Sequence, residues 1–230
     1  MIKAILMDFN GVIINDEPIQ MRAYQEILKG EGIDLTEEDY YSALGMDDRR
    51  FVEAALKRAD RDVNGDKVGE ITRGKTQKWR EIVEKELPLF DGIQNFVEKM
   101  SREFALGIVS MANTEEIAWV LEQADLRKHF SVIVSSQNVK NCKPDPECYR
   151  IGFRMLDDVR TAQGHLPITH RECLVIEDSP PGIASAVTAG LPALGVTNTV
   201  SADALRAAGA AAVAAKLDDW MPESIRRVFA

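Results

Sequence analysis

The chain has 230 residues, a hydrophobic fraction of 45% and a formal net charge of −9. This apolar content is enough for a sizeable core, and the acidic balance argues against a general nucleic-acid binder, because affinity for a phosphate backbone depends on clustered Lys and Arg. No apolar run approaches the roughly 20 residues that cross a bilayer, and the first one runs into Asp8 rather than a small-residue cleavage site. The three cysteines follow no paired ligand spacing, so we expect a soluble, cytoplasmic protein without a disulfide framework.

Short apolar runs, each closed by polar residues, predict strands that are buried on both faces of a sheet. They span residues 2–7, 106–109, 132–134, 173–176 and 193–196. Helix-like segments at 93–100, 115–124, 147–155 and 181–189 separate most of them, while residues 157–171 are predicted to be a long polar loop. The alternation predicts an α/β fold with a doubly wound parallel sheet, in which ligands bind beyond the carboxyl ends of the strands.

The segment between the first two predicted strands has helical periodicity and almost no strand-like runs. Apolar residues fall on one face of each of two predicted helices: Ile19, Ala23 and Ile27, then Phe51, Ala55 and Leu56. Pro88 and Gly92 suit a hinge where this segment ends. We therefore predict an inserted small α-helical cap domain at residues 16–91, and an α/β catalytic core formed by residues 1–15 and 92–230.

Polar groups with complementary chemistry follow the predicted strands. Asp8, Ser110 and the pair Glu177 and Asp178 come at or just after strand ends, and Lys143 follows the third strand by several residues. At one rim of a parallel sheet, a carboxylate could attack phosphorus, a hydroxyl and an ammonium could hold phosphoryl oxygens, and two carboxylates could hold Mg²⁺. Each residue taken singly is more often a cap, a turn former or a solvated loop residue, but the ordered set favours a site.

The sequences around these residues resemble the four ordered motifs of the haloacid dehalogenase-like superfamily. The matching segments are Asp8-Phe9-Asn10-Gly11-Val12-Ile13, Ser110, Lys143-Pro144-Asp145-Pro146-Glu147 and Glu177-Asp178-Ser179-Pro180-Pro181-Gly182-Ile183. The match is closest to the small-metabolite phosphatases and β-phosphoglucomutase-like enzymes, whose small helical cap is similar to the predicted insertion. The resemblance implies a Mg²⁺-dependent enzyme acting on a small phosphorylated metabolite.

The resemblance also implies roles for individual residues. Asp8 would be the nucleophile that forms an aspartyl-phosphate, and Ser110 and Lys143 would bind the transferring phosphoryl group. Mg²⁺ would be bound by Asp8, the backbone carbonyl of Asn10, Glu177 and Asp178. In the cap, Arg49 lies in a segment that resembles the specificity loop and Lys75 in a second element that faces the core, so both are candidate substrate contacts.

Asn10 departs from the family pattern, which places an aspartate two positions after the nucleophile as the general acid and base. An amide cannot donate and recover this proton, and its absence removes catalysis worth typically ~10²–10⁴-fold. Asn before Gly is also a common turn pair. Four explanations stay open: a slow phosphatase for good leaving groups, another acid such as Asp16, Glu17 or a cap residue, a binding protein, or an introduced or deamidating Asn10.

Three functional hypotheses follow from these patterns. The first is a phosphohydrolase that acts through an aspartyl-phosphate, and the second is a non-catalytic sensor or binding protein for a phosphorylated ligand. A phosphoglucomutase-like or phosphonatase-like enzyme is the less favoured third, because a mutase needs the missing acid on both sugar oxygens. The substrate and the oligomeric state cannot be inferred from these motifs.

Overall fold

The computed structural model describes residues 1–230, and its centre is one sheet of six parallel strands in the order β3-β2-β1-β4-β5-β6. The strands are β1 Ala4–Met7, β2 Ala105–Val109, β3 Phe130–Val134, β4 Cys173–Glu177, β5 Ala193–Val196 and β6 Ala212–Ala214. The predicted α/β fold with a doubly wound parallel sheet is confirmed, and the five predicted apolar runs correspond to β1 to β5. The strand order reverses at β1, so its carboxyl end borders the crevice where such sheets bind ligands.

The helices divide into a group between β1 and β2 and a group around the sheet. The first group is α1 Glu17–Gly30, α2 Glu37–Tyr41, α3 Asp48–Arg58 and α4 Gly65–Val83, called the inserted helices below. The second group is α5 Ile93–Ser101, α6 Thr114–Gln123, α7 Glu147–Ala162, α8 Pro180–Thr188, α9 Ala202–Ala207 and α10 Pro222–Val228. No helix combines the length and the apolar character that crossing a bilayer requires.

Alternate side chains of β1 pack on opposite faces of the sheet, as the period of a strand requires. Ile5 and Met7 belong to a cluster of 32 buried residues on one face, and Ala4 and Leu6 belong to a cluster of 20 on the other. Burial on both faces accounts for the continuous apolar runs of the sequence.

The inserted helices have a core of 12 buried residues, but they are also anchored to the sheet layer. Ile19 of α1 and Trp79 of α4 belong to the large sheet cluster rather than to the helical one. The chain enters and leaves this group side by side, since Ile14 pairs with Leu89 in an isolated antiparallel bridge. This bridge lies near both ends of the predicted cap domain, whose boundaries at residues 16 and 91 stay a prediction.

The predicted loop at residues 157–171 is wrong in its first part, because α7 continues through Ala162. Leu156 is buried and Val159 packs against the core, so the polar residues around them occupy only the solvent face of the helix. The backbone N–H of Ile168 donates a hydrogen bond of 2.8 Å to Asp157 Oδ1, which fastens the shorter return segment to the helix. The polar residues of this segment form the solvent face of a helix rather than a loop.

Candidate active site

A pocket lies between the carboxyl ends of the strands and the inserted helices. The sheet side of its wall contains Asp8, Asn10, Ser110, Lys143 and Asp178. The helical side contains the following residues of α1, α2, α3 and α4: Glu17, Gln20, Tyr24, Tyr40, Asp48, Phe51 and Lys75. The structure thus brings most of the predicted site residues to one cavity at the topological switch point.

Asp8 and Lys143 form a buried ion pair at the base of the pocket. Lys143 Nζ donates to Asp8 Oδ1 at 2.8 Å and to Glu177 Oε1 at 2.6 Å. The pKa of Asp8 is raised to about 7: burial is the largest cause, the Lys143 charge lowers the pKa, and the Glu177 carboxylate raises it. Burial alone would lower the pKa of Lys143, but the carboxylates of Asp8 and Glu177 outweigh it and hold that pKa above its ordinary value.

Glu177 is a fully buried carboxylate with donors around both of its oxygens. Oε1 accepts hydrogen bonds from Lys143 and from the Tyr149 hydroxyl, and Oε2 accepts from the backbone N–H of Asp178 and from Ser179. A side chain at Gly182 would place its Cβ 1.9 Å from this carboxylate, so only glycine allows the close approach. Glu177 therefore orients Lys143 and the turn after β4.

Asp178 faces the pocket beside the first loop. Its Oδ2 accepts a hydrogen bond from the Thr199 hydroxyl, and a Cβ at Gly11 would lie 1.9 Å from this oxygen. Gly11 also has a φ of +74°, which favours glycine on conformational grounds. Ser179, rather than Asp178, caps α8 by accepting from Gly182 N–H, so the carboxylate of Asp178 is not used as a helix cap.

The carboxylates of Asp8, Glu177 and Asp178 form a buried group whose candidate ligand oxygens lie within 4.8 Å of one another. Burial, followed by the Glu177 and Asp8 charges, holds the pKa of Asp178 well above its usual range. One ammonium, that of Lys143, is hydrogen-bonded within this group. Excess buried negative charge on oxygen donors fits a hard divalent cation such as Mg²⁺. The part that the Asn10 carbonyl would take stays a prediction.

The Asn10 side chain is held from two sides. Its Nδ2 donates to both carboxylate oxygens of Asp16 at 3.0 Å, and its Oδ1 accepts from Ser110 Oγ at 3.3 Å. Asp16 has no exposed surface and also accepts from Gln20 and Trp79. Asp16 does not line the pocket, whereas Glu17, the next residue, does.

The two predicted substrate contacts of the inserted helices have different surroundings. Lys75 is 1% exposed and lines the pocket, but its Nζ donates to both oxygens of Asp48, at 2.9 and 3.1 Å. Arg49 is not brought to the pocket: its side chain is 75% exposed and pairs with Glu53 at 2.9 Å, one turn further along α3. The structure thus gives no basis for a substrate contact by Arg49.

Several pocket residues were missed by sequence reasoning. They are Gln20, Tyr24, Tyr40, Asp48 and Glu116. A signal was available for Asp48, which stands directly before Arg49 in the segment that resembles a specificity loop. Glu116 lies in the first turn of α6, where an acidic residue is ordinary, so its sequence position alone gave no indication.

The comparisons with known proteins agree with this architecture. A family model described as haloacid dehalogenase-like hydrolase matches residues 5–196. The chain is 28% identical over 216 residues to a phosphorylated carbohydrates phosphatase of Thermotoga maritima, covering 92% of this chain and 93% of that protein. It is 26% identical over 197 residues to a fructose-1-phosphate phosphatase of Escherichia coli, covering 84% and 95%. A β-phosphoglucomutase of Clostridium difficile shares the fold, with a TM-score of 0.86 at 19% identity over 100% of this chain and 97% of that one.

Proposed function

Because the chain belongs to the haloacid dehalogenase-like hydrolase family, we propose that it hydrolyses the phosphate monoester of a small, sugar-like metabolite. The observation that carries the proposal is the convergence of Asp8, Ser110, Lys143 and Asp178 on one pocket. The names of the Thermotoga and Escherichia relatives, both phosphatases of phosphorylated carbohydrates, support the substrate class.

In the proposed reaction, Asp8 attacks phosphorus and forms an aspartyl-phosphate, while the bond to the leaving oxygen breaks. Lys143 and Ser110 hold the phosphoryl oxygens, and a water then hydrolyses the intermediate. Asp8, Glu177, Asp178 and the Asn10 carbonyl would hold Mg²⁺, which would offset the repulsion between the anionic nucleophile and the anionic substrate. Glu177 keeps the Lys143 ammonium beside Asp8, as its 2.6 Å hydrogen bond indicates.

The leaving oxygen of an alkyl phosphate needs a proton, which the Asn10 amide cannot supply. We assign this step to Glu17, which lines the pocket and whose carboxyl accepts a hydrogen bond from the Tyr40 hydroxyl. Burial, followed by the charge of Asp16, raises the pKa of Glu17 to about 7, so that both protonation states are populated near neutral pH. Glu17 would donate to the leaving oxygen and then accept a proton from the hydrolytic water.

The test is Mg²⁺-dependent hydrolysis of an aryl phosphate and of a hexose phosphate, measured for the wild type and for Asp8→Asn. We expect Asp8→Asn to abolish both activities with the fold retained, because the change removes the nucleophile and little volume. An Asp8→Asn protein that keeps most of its activity would refute the covalent mechanism.

The variant Glu17→Gln tests the proposed proton donor independently of the nucleophile Asp8. We expect kcat for the hexose phosphate to fall by about 10²-fold and kcat for the aryl phosphate to change little, because an aryl oxide leaves without a proton. Glu38→Gln is the matched control, since Glu38 is exposed on α2 and does not line the pocket. Equal losses on both substrates would remove Glu17 from the proton step.

A second candidate is a phosphate-binding protein without turnover. The observation that favours it is the Asn10 side chain, which is fixed by Asp16 and Ser110 and cannot act as an acid. Binding of a sugar phosphate without hydrolysis of either substrate, and without a phosphorylated Asp8 in the denatured protein, would support this role over catalysis.

A further inference from the structure

Two buried acceptor atoms beside the pocket receive no hydrogen bond from the protein. They are Oε1 of Gln20 and Oε1 of Glu116, whose residues are 6% and 3% exposed and line the cavity. A buried polar atom that has no partner costs free energy, so such atoms are usually satisfied by water or by a ligand. An amide oxygen accepts hydrogen bonds and does not donate them, so Gln20 Oε1 is suited to a ligand hydroxyl.

Away from Asp8, Lys143 and Asp178, the lining of the pocket holds more negative than positive charge. This part contains Glu17, Asp48 and Glu116 and a single cation, Lys75. Lys75 is already engaged, because its Nζ donates to both oxygens of Asp48 and lies 3.9 Å from Glu116 Oε1. A second phosphate or a carboxylate on the substrate would therefore meet three acidic side chains and no free ammonium.

We infer that Glu116 and Gln20 select a phosphate monoester whose remaining part is uncharged and bears hydroxyl groups, and that they reject substrates with a second anionic group. This inference rests on the proposed function and adds the selection rule. Two hydroxyl groups of such a substrate can each donate to one of the two unpartnered acceptors. A carboxylate has no proton to donate, so it would leave both acceptors unpaired and would add a like charge.

The protonation of Glu116 also suits a hydroxyl. Burial raises the pKa of Glu116 to about 7, with the Lys75 charge opposing and the Asp48 charge adding to the effect. Near neutral pH the carboxylate form, which accepts from a hydroxyl and repels a second anion, is therefore populated, and it becomes dominant as the pH rises above 7. A hydroxyl on the substrate can pair with either form because it both donates and accepts.

A matched pair of substrates tests the rule. A hexitol 6-phosphate and the aldonic acid 6-phosphate of the same carbon chain differ only in a terminal CH₂OH or carboxylate. With Mg²⁺ we expect kcat/KM to favour the hexitol phosphate by about 100-fold, because a site built around hydrogen bonds rejects an analogue that leaves its buried groups unpaired. Calorimetric dissociation constants on the Asp8→Asn protein, which does not turn over, should show the same preference.

The variant Glu116→Gln tests whether Glu116 is the residue that discriminates against a negatively charged substrate group. Glutamine keeps the shape and an acceptor oxygen but removes the negative charge, so we expect the hexitol-to-aldonate ratio to fall by about 10-fold. Glu115→Gln, the adjacent exposed position on α6, is the control and should leave the ratio unchanged. A Glu116→Gln ratio equal to that of the wild type would remove Glu116 from the selection.

The results distinguish a failure of the proposed phosphatase function from a failure of the proposed substrate selection. If no phosphate ester is hydrolysed, including the aryl phosphate, the proposed function fails while the binding ratio still decides the selection rule. If the aryl phosphate is hydrolysed but the aldonate is bound and turned over as well as the hexitol, the selection rule is overturned and the phosphatase stands.

Discussion

Exchanging the side chains at positions 10 and 16 tests whether the buried pair governs proton chemistry at the site. In the wild type, Asn10 Nδ2 donates to both oxygens of Asp16 at 3.0 Å, and Asp16 is fully buried. Asn10→Asp alone would replace this donor by a second carboxylate. The hydrogen bonds would become a contact between two acidic groups, so the single change should both destabilise the protein and fail to give a freely ionising acid.

The size of the effect follows from the distance. Two unit charges about 3 Å apart repel by roughly 5 kcal/mol at an effective dielectric constant of 20. Uptake of one proton limits this cost, because protonating an ordinary aspartate at pH 7 requires about 4 kcal/mol. We therefore expect Asn10→Asp to lower the free energy of unfolding by roughly 2–4 kcal/mol.

The double variant Asn10→Asp/Asp16→Asn should recover most of this loss. Gln20 Nε2 and Trp79 Nε1 both donate to Asp16 Oδ2, at 2.9 and 2.8 Å. An asparagine at position 16 can place its carbonyl oxygen there and turn its NH₂ group towards the new carboxylate at position 10. The net charge is unchanged, and the hydrogen bond forms with its direction reversed.

The assay is a double-mutant cycle measured by denaturant unfolding, together with kcat for an alkyl and an aryl phosphate. We expect the double variant to unfold within about 1 kcal/mol of the wild type, with a coupling energy above about 2 kcal/mol. Because Glu17 supplies the proton in the proposed mechanism, the alkyl phosphatase rate of the double variant should change by less than about tenfold, through the pKa of Glu17, with little change for the aryl phosphate. Additive stability effects would show that residues 10 and 16 do not form the observed contact.

Three further predictions concern other parts of the site. Arg49→Ala should change kcat/KM by less than about twofold, because the Arg49 side chain is exposed, pairs with Glu53 and does not line the pocket. A large rise in KM would place Arg49 in the pocket. Burial raises the pKa of Asp8 from 3.8 to about 7 and that of Asp178 well above its usual value. A carboxyl whose pKa is raised in the folded state favours folding most when it is protonated. Without Mg²⁺, in the presence of a chelator, Tm should therefore decrease as the pH is raised from about 4 to about 7, and added Mg²⁺ should restore much of the lost Tm. A Tm that does not respond to Mg²⁺ at pH 7 would contradict the metal site. Gly11→Ala should lower the free energy of unfolding by at least about 1 kcal/mol and weaken the Tm response to Mg²⁺, because the alanine Cβ would lie 1.9 Å from Asp178 Oδ2. A Tm response to Mg²⁺ equal to that of the wild type would show that the loop adjusts.

The sheet and the sheet side of the pocket could be predicted because their information is local. Each buried strand is a continuous apolar run, and the carboxyl ends of parallel strands necessarily meet at one rim. Asp8 and Ser110 were placed by this rule alone. The strand β6 was missed because Ala212–Ala214 lies in an alanine-rich segment, and alanine favours helices rather than strands.

The helical side of the pocket could not be derived in the same way, because its contacts join residues that are distant in sequence. Lys75 of α4 meets Asp48 of α3 through the packing of two helices. Consecutive helical residues point about 100° apart, so taking Arg49 rather than Asp48 as the pocket residue selects a different face of α3. The segment that resembles a specificity loop lines the pocket through Asp48 rather than through Arg49.

The departure at Asn10 is best understood as a relocation of a carboxylate rather than as its loss. Asp16 supplies a buried acid next to the position where the family pattern has one, but it lies outside the pocket and is occupied by Asn10, Gln20 and Trp79. Its charge is the second largest cause, after burial, of the raised pKa of Glu17. In the proposed mechanism Asp16 therefore acts through Glu17, and moving its charge to position 10 should shift the pH dependence of alkyl phosphate hydrolysis as well as its rate. If the pH dependence of alkyl phosphate hydrolysis is the same in the wild type and the double variant, the charge of Asp16 does not control the pKa of the group that donates the proton.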